Sequence, residues 1–251
     1  MPKIKILIIA LILLLSSGAW AESAENYLKQ GHIYLKSRNY SKAEELYKKA
    51  IETNPKYFDA YVALGLVYAS KKEDDKAIEA YQKALEINLS PEGFYKLSLV
   101  YTAKKKYDKS IECLKKAVEL NPKYTAAYLQ LASIYVIKED FDSAIEWYKK
   151  SADVMPNATA YHRLGLIYAG KENYNAAVKC YTNAIKLNPN YTQAYLWLGQ
   201  AYYNTGDTAS ALKQVVKLRE LRKYDLAFGL EKWIKEKGAQ AQKKQDKSKK
   251  R

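Results

Sequence analysis

A near-repeat of about 34 residues constrains this chain more than any other feature. "NPKYFDAYVALGLVY" begins at Asn54, "NPKYTAAYLQLASIY" at Asn121 and "NPNYTQAYLWLGQAY" at Asn188. Each interval is 67 positions and holds two units, of 34 and 33 residues. A chain built this way grows its core by stacking units rather than by enlarging a sphere. Glycine and proline number only 10 and 6 in 251 residues, which suits helices joined by short turns.

Alignment on the Asn-Pro steps gives six units: 24–57, 58–90, 91–124, 125–157, 158–191 and 192–225. Each is expected to be a helix pair. The first helix opens near an aromatic: Tyr27, Tyr61, Phe94, Tyr128, Tyr161 and Tyr195. A small residue follows four positions on, at Gly31, Gly65, Ser98, Ala132, Gly165 and Gly199, and lets the paired helices approach closely. Three residues later an aromatic returns at Tyr34, Tyr68, Tyr101, Tyr135, Tyr168 and Tyr202, on the same helical face.

The second helix is expected to start at Ser41, Asp75, Asp108, Asp142, Asn175 and Thr208, all residue types that accept hydrogen bonds from free N–H groups. Small residues follow at Ala43, Ala77, Ser110, Ala144, Ala177 and Ala211. A bulky column comes next, at Tyr47, Tyr81, Leu114, Tyr148, Tyr181 and Val215. The helix ends before Pro55, Pro122, Pro156 and Pro189. These columns and the flanking turns hold 21 of the 24 tyrosines, so the tyrosine excess reads as scaffold packing.

The segment Tyr61-x-x-Leu64-Gly65-x-x-Tyr68, continued by Ala77, Tyr81 and Ala84, resembles the tetratricopeptide repeat. The resemblance covers roughly residues 24–225 and recurs six times. It departs at three turns: Leu89 stands where proline is expected, units two and four are one residue short, and Lys223 replaces the last proline. The resemblance implies an all-α, right-handed superhelical solenoid of stacked antiparallel helix pairs. It also implies a concave groove, lined by first helices, that binds peptides or helices of partner proteins.

Behind the sixth unit, Leu226, Leu230 and Trp233 form an apolar stripe with Ile234 beside it. Residues 226–238 are therefore expected to form a helix that caps the array. Residues 239–251 are polar and are expected to form a disordered basic tail. At the other end, Lys3 and Lys5 precede an apolar run of ten residues, then Ala19-x-Ala21. That pattern reads as a signal peptide of residues 1–21 cleaved after Ala21, too short for a membrane span. The protein is accordingly expected to be exported, periplasmic or secreted.

The formal net charge is +15, and the tail accounts for part of it. With export expected, nucleic acid is not the counterpart of this basicity. Two readings of the tail stand: a solvated, disordered segment that keeps the protein soluble, or a contact through Lys243, Lys244, Lys247, Lys249, Lys250 and Arg251 with an anionic membrane surface, an envelope polymer or an acidic protein.

Catalytic signatures are missing. His32 and His162 lie about four units apart, too far to share a metal. Cys113 and Cys180 occupy one column two units apart and cannot form a disulfide. Phosphate-loop glycines, Cys-x-x-Cys and a nucleophile elbow do not occur. The chain is expected to be no enzyme and to need no cofactor or metal.

The positions left for function lie on the groove. One column is Leu28, Val62, Tyr95, Leu129, His162 and Leu196. The next includes His32, Leu66, Leu99, Ser133, Leu166 and Gln200, and Leu35 and Tyr203 belong to a third. Glu25, Asp59 and Glu92 run along one edge. The ligand is expected to be an apolar or amphipathic segment with basic residues near that edge. Trp197 and Tyr203 read as the most exposed large aromatics, hence as binding hot spots. The leading reading is an exported protein–protein adaptor in envelope assembly or secretion; the alternative is a surface-tethering protein held by its basic tail. The first unit has no evident cap, and its open face near Tyr27, Leu28 and Tyr34 is expected to pair with a second copy or with a partner.

Overall fold

The computed structural model describes residues 23–249, and they contain no β-strand. The expected signal segment and its cleavage site lie outside the described residues, as do Lys250 and Arg251. The repeat helices are 13 or 14 residues long. The first helices are α1 (residues 23–36), α3 (Phe58–Ser70), α5 (Pro91–Ala103), α7 (Thr125–Ile137), α9 (Ala158–Gly170) and α11 (Thr192–Asn204). The second helices are α2 (Tyr40–Thr53), α4 (Asp74–Ile87), α6 (Tyr107–Leu120), α8 (Phe141–Val154), α10 (Tyr174–Leu187) and α12 (Thr208–Glu220). α13 (Tyr224–Lys249) closes the chain. Two compact units result, one reaching Ala127 and the other starting at Tyr128.

In the first unit each helix packs on the next from α2 through α6. The pairs interlock through the small column and the bulky column. Tyr47 and Tyr81 lie against Gly31 and Gly65 and are fully buried. In the second unit the same relation joins Gly165 to Tyr181, while Gly199 faces Leu230 of α13. Ala227, Leu230 and Ile234 of α13 are buried with Tyr195, Val215 and Leu218. This is the terminal cap that a stacked array requires.

The turn inside each pair is a Schellman motif. After α3, the Glu73 N–H donates to the Tyr68 carbonyl at 2.9 Å and the Lys72 N–H to that of Ala69 at 3.1 Å. Arg38, Lys72, Lys105, Glu139, Glu172 and Gly206 take the left-handed conformation this requires, and all but one carry a side chain.

Turns between pairs come in two forms, which explain the 33-residue units. After α2, α6 and α10 the linker has four residues, and Asn54, Asn121 and Asn188 each accept the N–H two residues on. After α4 and α8 it has three. There Ser90 and Asn157 cap the next helix, accepting from Gly93 N and Ala160 N at 2.9 and 2.8 Å. Pro91, out of place against the other prolines, is the first residue of α5, where its missing N–H costs nothing.

Two expectations need correction. The residues that cap second helices are not Ser41, Asp75, Asp108, Asp142, Asn175 and Thr208. Asn39, Asp140, Asn173 and Asp207 accept the first-turn N–H groups, while Glu73 and Lys106 make no side-chain cap. The expected column lies within the first turn, where Asp75 and Asp142 instead bind Lys104 and Lys171 of the following turn at 3.1 and 2.7 Å. Second, α13 does not stop at Gly238. It continues to Lys249, because Ala239-Gln-Ala-Gln and the lysines behind it are strong helix formers, against about 1 kcal/mol for one glycine.

Candidate partner-binding surface

In the first unit, the first helices α1, α3 and α5 contribute one cleft of about 290 Å³. Leu28, Phe58, Val62 and Leu66 give it an apolar floor, and His32, Asp59, Glu92 and Lys96 edge it. The repeat places these residues together because Leu28 and Val62 share a column, as do His32 and Leu66 one helical turn on. Leu28 is buried at the base, whereas Leu66 is exposed. The His32 ring also meets the Tyr47 hydroxyl, with Nδ1 2.8 Å from the oxygen. Glu92 reaches Lys96 at 3.7 Å, and Asp59 remains at the rim.

Elsewhere in this unit, Leu35 is half-buried and Leu99 exposed. Tyr95 is half-buried, with its ring edge-on to Tyr124 at 5.5 Å. None of the three lines the cleft.

The second unit has its own cleft of about 350 Å³ between α9, α10 and α11. Leu166, Trp197 and Gln200, all expected at the groove, line it with Ala169, Tyr174 and Asn204. Leu129 packs against the core around Tyr148, and Leu196 against that around Val215. Ser133 donates to the Leu129 carbonyl at 2.8 Å and lies 3.1 Å from the Tyr148 hydroxyl, so it serves the scaffold.

His162 does not belong to an accessible surface. It is buried, and Tyr191 from the turn before α11 lies over it with ring centres 4.9 Å apart. Neither ring nitrogen has a hydrogen-bond partner, and neither does the neighbouring Tyr181 hydroxyl. Burial, aided by the Arg163 charge, pulls the imidazole pKa down to about 4. The ranking of exposed aromatics also changes. Trp197 and Tyr203 are half-buried, Tyr203 against Trp233 at 5.3 Å, whereas Phe228 is 68% and Tyr224 64% exposed.

A third cleft, of about 590 Å³, was not signalled by the groove columns. It lies among α4, α5 and α6, where Gln82, Leu85 and Phe94 face Lys109, Cys113 and Lys116. Burial pushes the Cys113 and Cys180 thiols up to about 11, which leaves both poor nucleophiles. Both cysteines are free. Among the described residues no cluster of His, Cys, Asp and Glu could hold a metal, and no helix is long and apolar enough to cross a membrane. Of the tail lysines, Lys243 is exposed, and Lys244, Lys247 and Lys249 fall within α13.

Sequence models of the tetratricopeptide repeat match residues 28–90, 125–157 and 193–224. A further model, described as TPR repeat, matches 98–136 and 165–206. The chain belongs to the tetratricopeptide repeat family. No curated protein matches it in sequence. Among solved structures, the Pseudomonas aeruginosa protein pilF superposes with a TM-score of 0.67 at 20% identity, over 84% of this chain and 97% of that one. PilW, described as a widely conserved type IV pilus biogenesis factor, gives 0.63 at 18% identity, over 80% and 94%. YrrB, described as a TPR protein with an unusual peptide-binding site, gives 0.54 at 26%, over 67% and 88%. A tetratricopeptide repeat array is a scaffold for protein–protein interaction, and its partners are proteins or peptides.

Proposed function

We propose that this chain is an exported adaptor that holds an apolar or amphipathic segment of a partner protein against its first helices, and does no chemistry of its own. One observation carries this reading. In each unit the first helices form a cleft with an apolar floor and a polar edge. In the first unit the Asp59 and Glu92 carboxylates at the rim favour a segment that brings a basic residue beside its apolar ones. In the second, the Trp197 ring offers a broad apolar contact beside the Gln200 and Asn204 amides. Export is part of the proposal, and the pattern of residues 1–21 supports it. Envelope assembly or secretion is the setting we propose.

Fluorescence anisotropy tests the cleft chemistry with a labelled Leu-rich peptide carrying one Lys, and its Glu counterpart. The Lys peptide should bind more tightly to the natural chain. The doubly reversed chain, Asp59→Lys with Glu92→Lys, should invert that order. An unchanged order in the reversed chain would remove the acidic rim from the account.

A further inference from the structure

Repeat register singles out an exposed apolar patch on α12 and α13. In the second and third repeats, Gln82 of α4 and Phe94 of α5 both face α6 across one cleft. Stepping through the repeat carries Gln82 to Val216 of α12 and Phe94 to Phe228 of α13. α13 therefore occupies the place of a seventh first helix. Its Ala227, Leu230 and Ile234 are buried as that role demands. The opposite side is where its own second helix would sit.

That side is mostly converted to polar residues. Leu97 has its equivalent in Glu231 and Leu85 in Arg219, and these two now pair at 2.5 Å. The conversion is incomplete. At the Gln82 position the other repeats have Lys48, Lys115, Lys149 and Thr182, yet here stands Val216, 51% exposed. Phe94, Tyr128 and Tyr195 are each 9% exposed, but their equivalent Phe228 is 68% exposed. Leu212, one turn before Val216, is 42% exposed as well. A terminal cap meant only to stay soluble would carry polar residues at all three.

The surroundings are cationic. Residues 208–243 hold nine basic and four acidic side chains, a net +5. Lys213 and Lys217 of α12 and Lys232 and Lys235 of α13 are exposed. We infer that Leu212, Val216 and Phe228 form a docking site for an acidic amphipathic helix of a partner protein, seated where a seventh second helix would lie. The geometry calls for a helix because, in the earlier repeat, the second helix α6 lies across one cleft from Gln82 and Phe94 and Phe94 is buried there. The charge calls for an acidic one.

The test uses the full chain and two labelled helical peptides of about 20 residues. They share one leucine stripe and differ only in Glu or Lys on its flanks. The Glu peptide should bind, and the Lys peptide at least about tenfold more weakly. The variant V216Q/F228S should lower Glu-peptide affinity at least about tenfold with unchanged helicity and melting temperature. Trp197→Ala, in the first-helix cleft, should leave that affinity within about twofold, which separates this site from the groove. Equal affinity for the two peptides, or no loss in V216Q/F228S, overturns the proposal. So does self-association of the natural chain that the double variant abolishes in sedimentation velocity, which would assign the face to a second copy. Binding to phosphatidylglycerol vesicles that the double variant loses, without peptide binding, overturns it in favour of a lipid surface.

Discussion

Tyr81 lies so close to Gly65 that a methyl group on the glycine would sit 2.7 Å from the ring's Cε1. The ring is fully buried, so it has nowhere to retreat. Gly65→Ala should therefore destabilise the protein by about 1–3 kcal/mol, the usual cost of overpacking a filled core. Gly170, the last residue of α9, is the control, since a methyl there meets nothing within 4 Å. Gly170→Ala should be neutral or stabilise by up to about 1 kcal/mol. Urea denaturation of both variants checks the contrast. Equal losses would mean that the glycine column reflects helix propensity and not close approach.

The left-handed residues within the pairs offer a second check. Lys72 sits at φ 60 and is exposed, so a glycine there loses no packing and relieves the contact between Cβ and the backbone. Lys72→Gly should stabilise by roughly 0.5–1 kcal/mol in denaturant titration. Gly206→Ala, at the matching position with φ 89, should lose a comparable amount. A destabilised Lys72→Gly would show that the lysine side chain contributes more than its conformation costs.

His162 predicts an acid sensitivity with a definite sign. In the folded chain its pKa is depressed to about 4, against about 6.5 for a free imidazole. The unfolded chain thus binds the extra proton first. Stability is full above about pH 6.5 and falls as pH drops toward 4, by up to about 3 kcal/mol. Leu196 fills this column one repeat on, so His162→Leu is the natural comparison. Denaturation at pH 7 and pH 5 should show a loss in the natural chain that the variant largely lacks. Parallel losses would place the acid sensitivity elsewhere.

The fold was legible because packing repeats. Gly65, Tyr68, Ala77 and Tyr81 recur with little change, and each is fixed by what lies opposite it. The second-helix starts were misassigned by about one helical half-turn. Acidic residues favour both the cap and the first turn, since both face the positive end of the helix dipole, and Asp75 and Asp142 occupied the turn. The three-residue linkers at Ser90 and Asn157 looked like defects because a side-chain cap substitutes for the Asn-Pro turn. His162 falls in a groove column and is buried nonetheless, because the columns fix a residue's face and not what covers it. Here Tyr191, from a different element, does so. Phe228 escaped notice for the converse reason. It belongs to the aromatic column of a seventh repeat whose second helix is absent among the described residues.

The central claim is that partner contact runs through the first-helix clefts. A photo-crosslinking amino acid placed at Leu66 or Gln200, in the intact chain in its own cells, measures it most directly. Lys115 and Lys149, both exposed on second helices, serve as controls. The account predicts discrete protein adducts from positions 66 and 200 and none from 115 or 149. Adducts confined to 115 and 149 would contradict it.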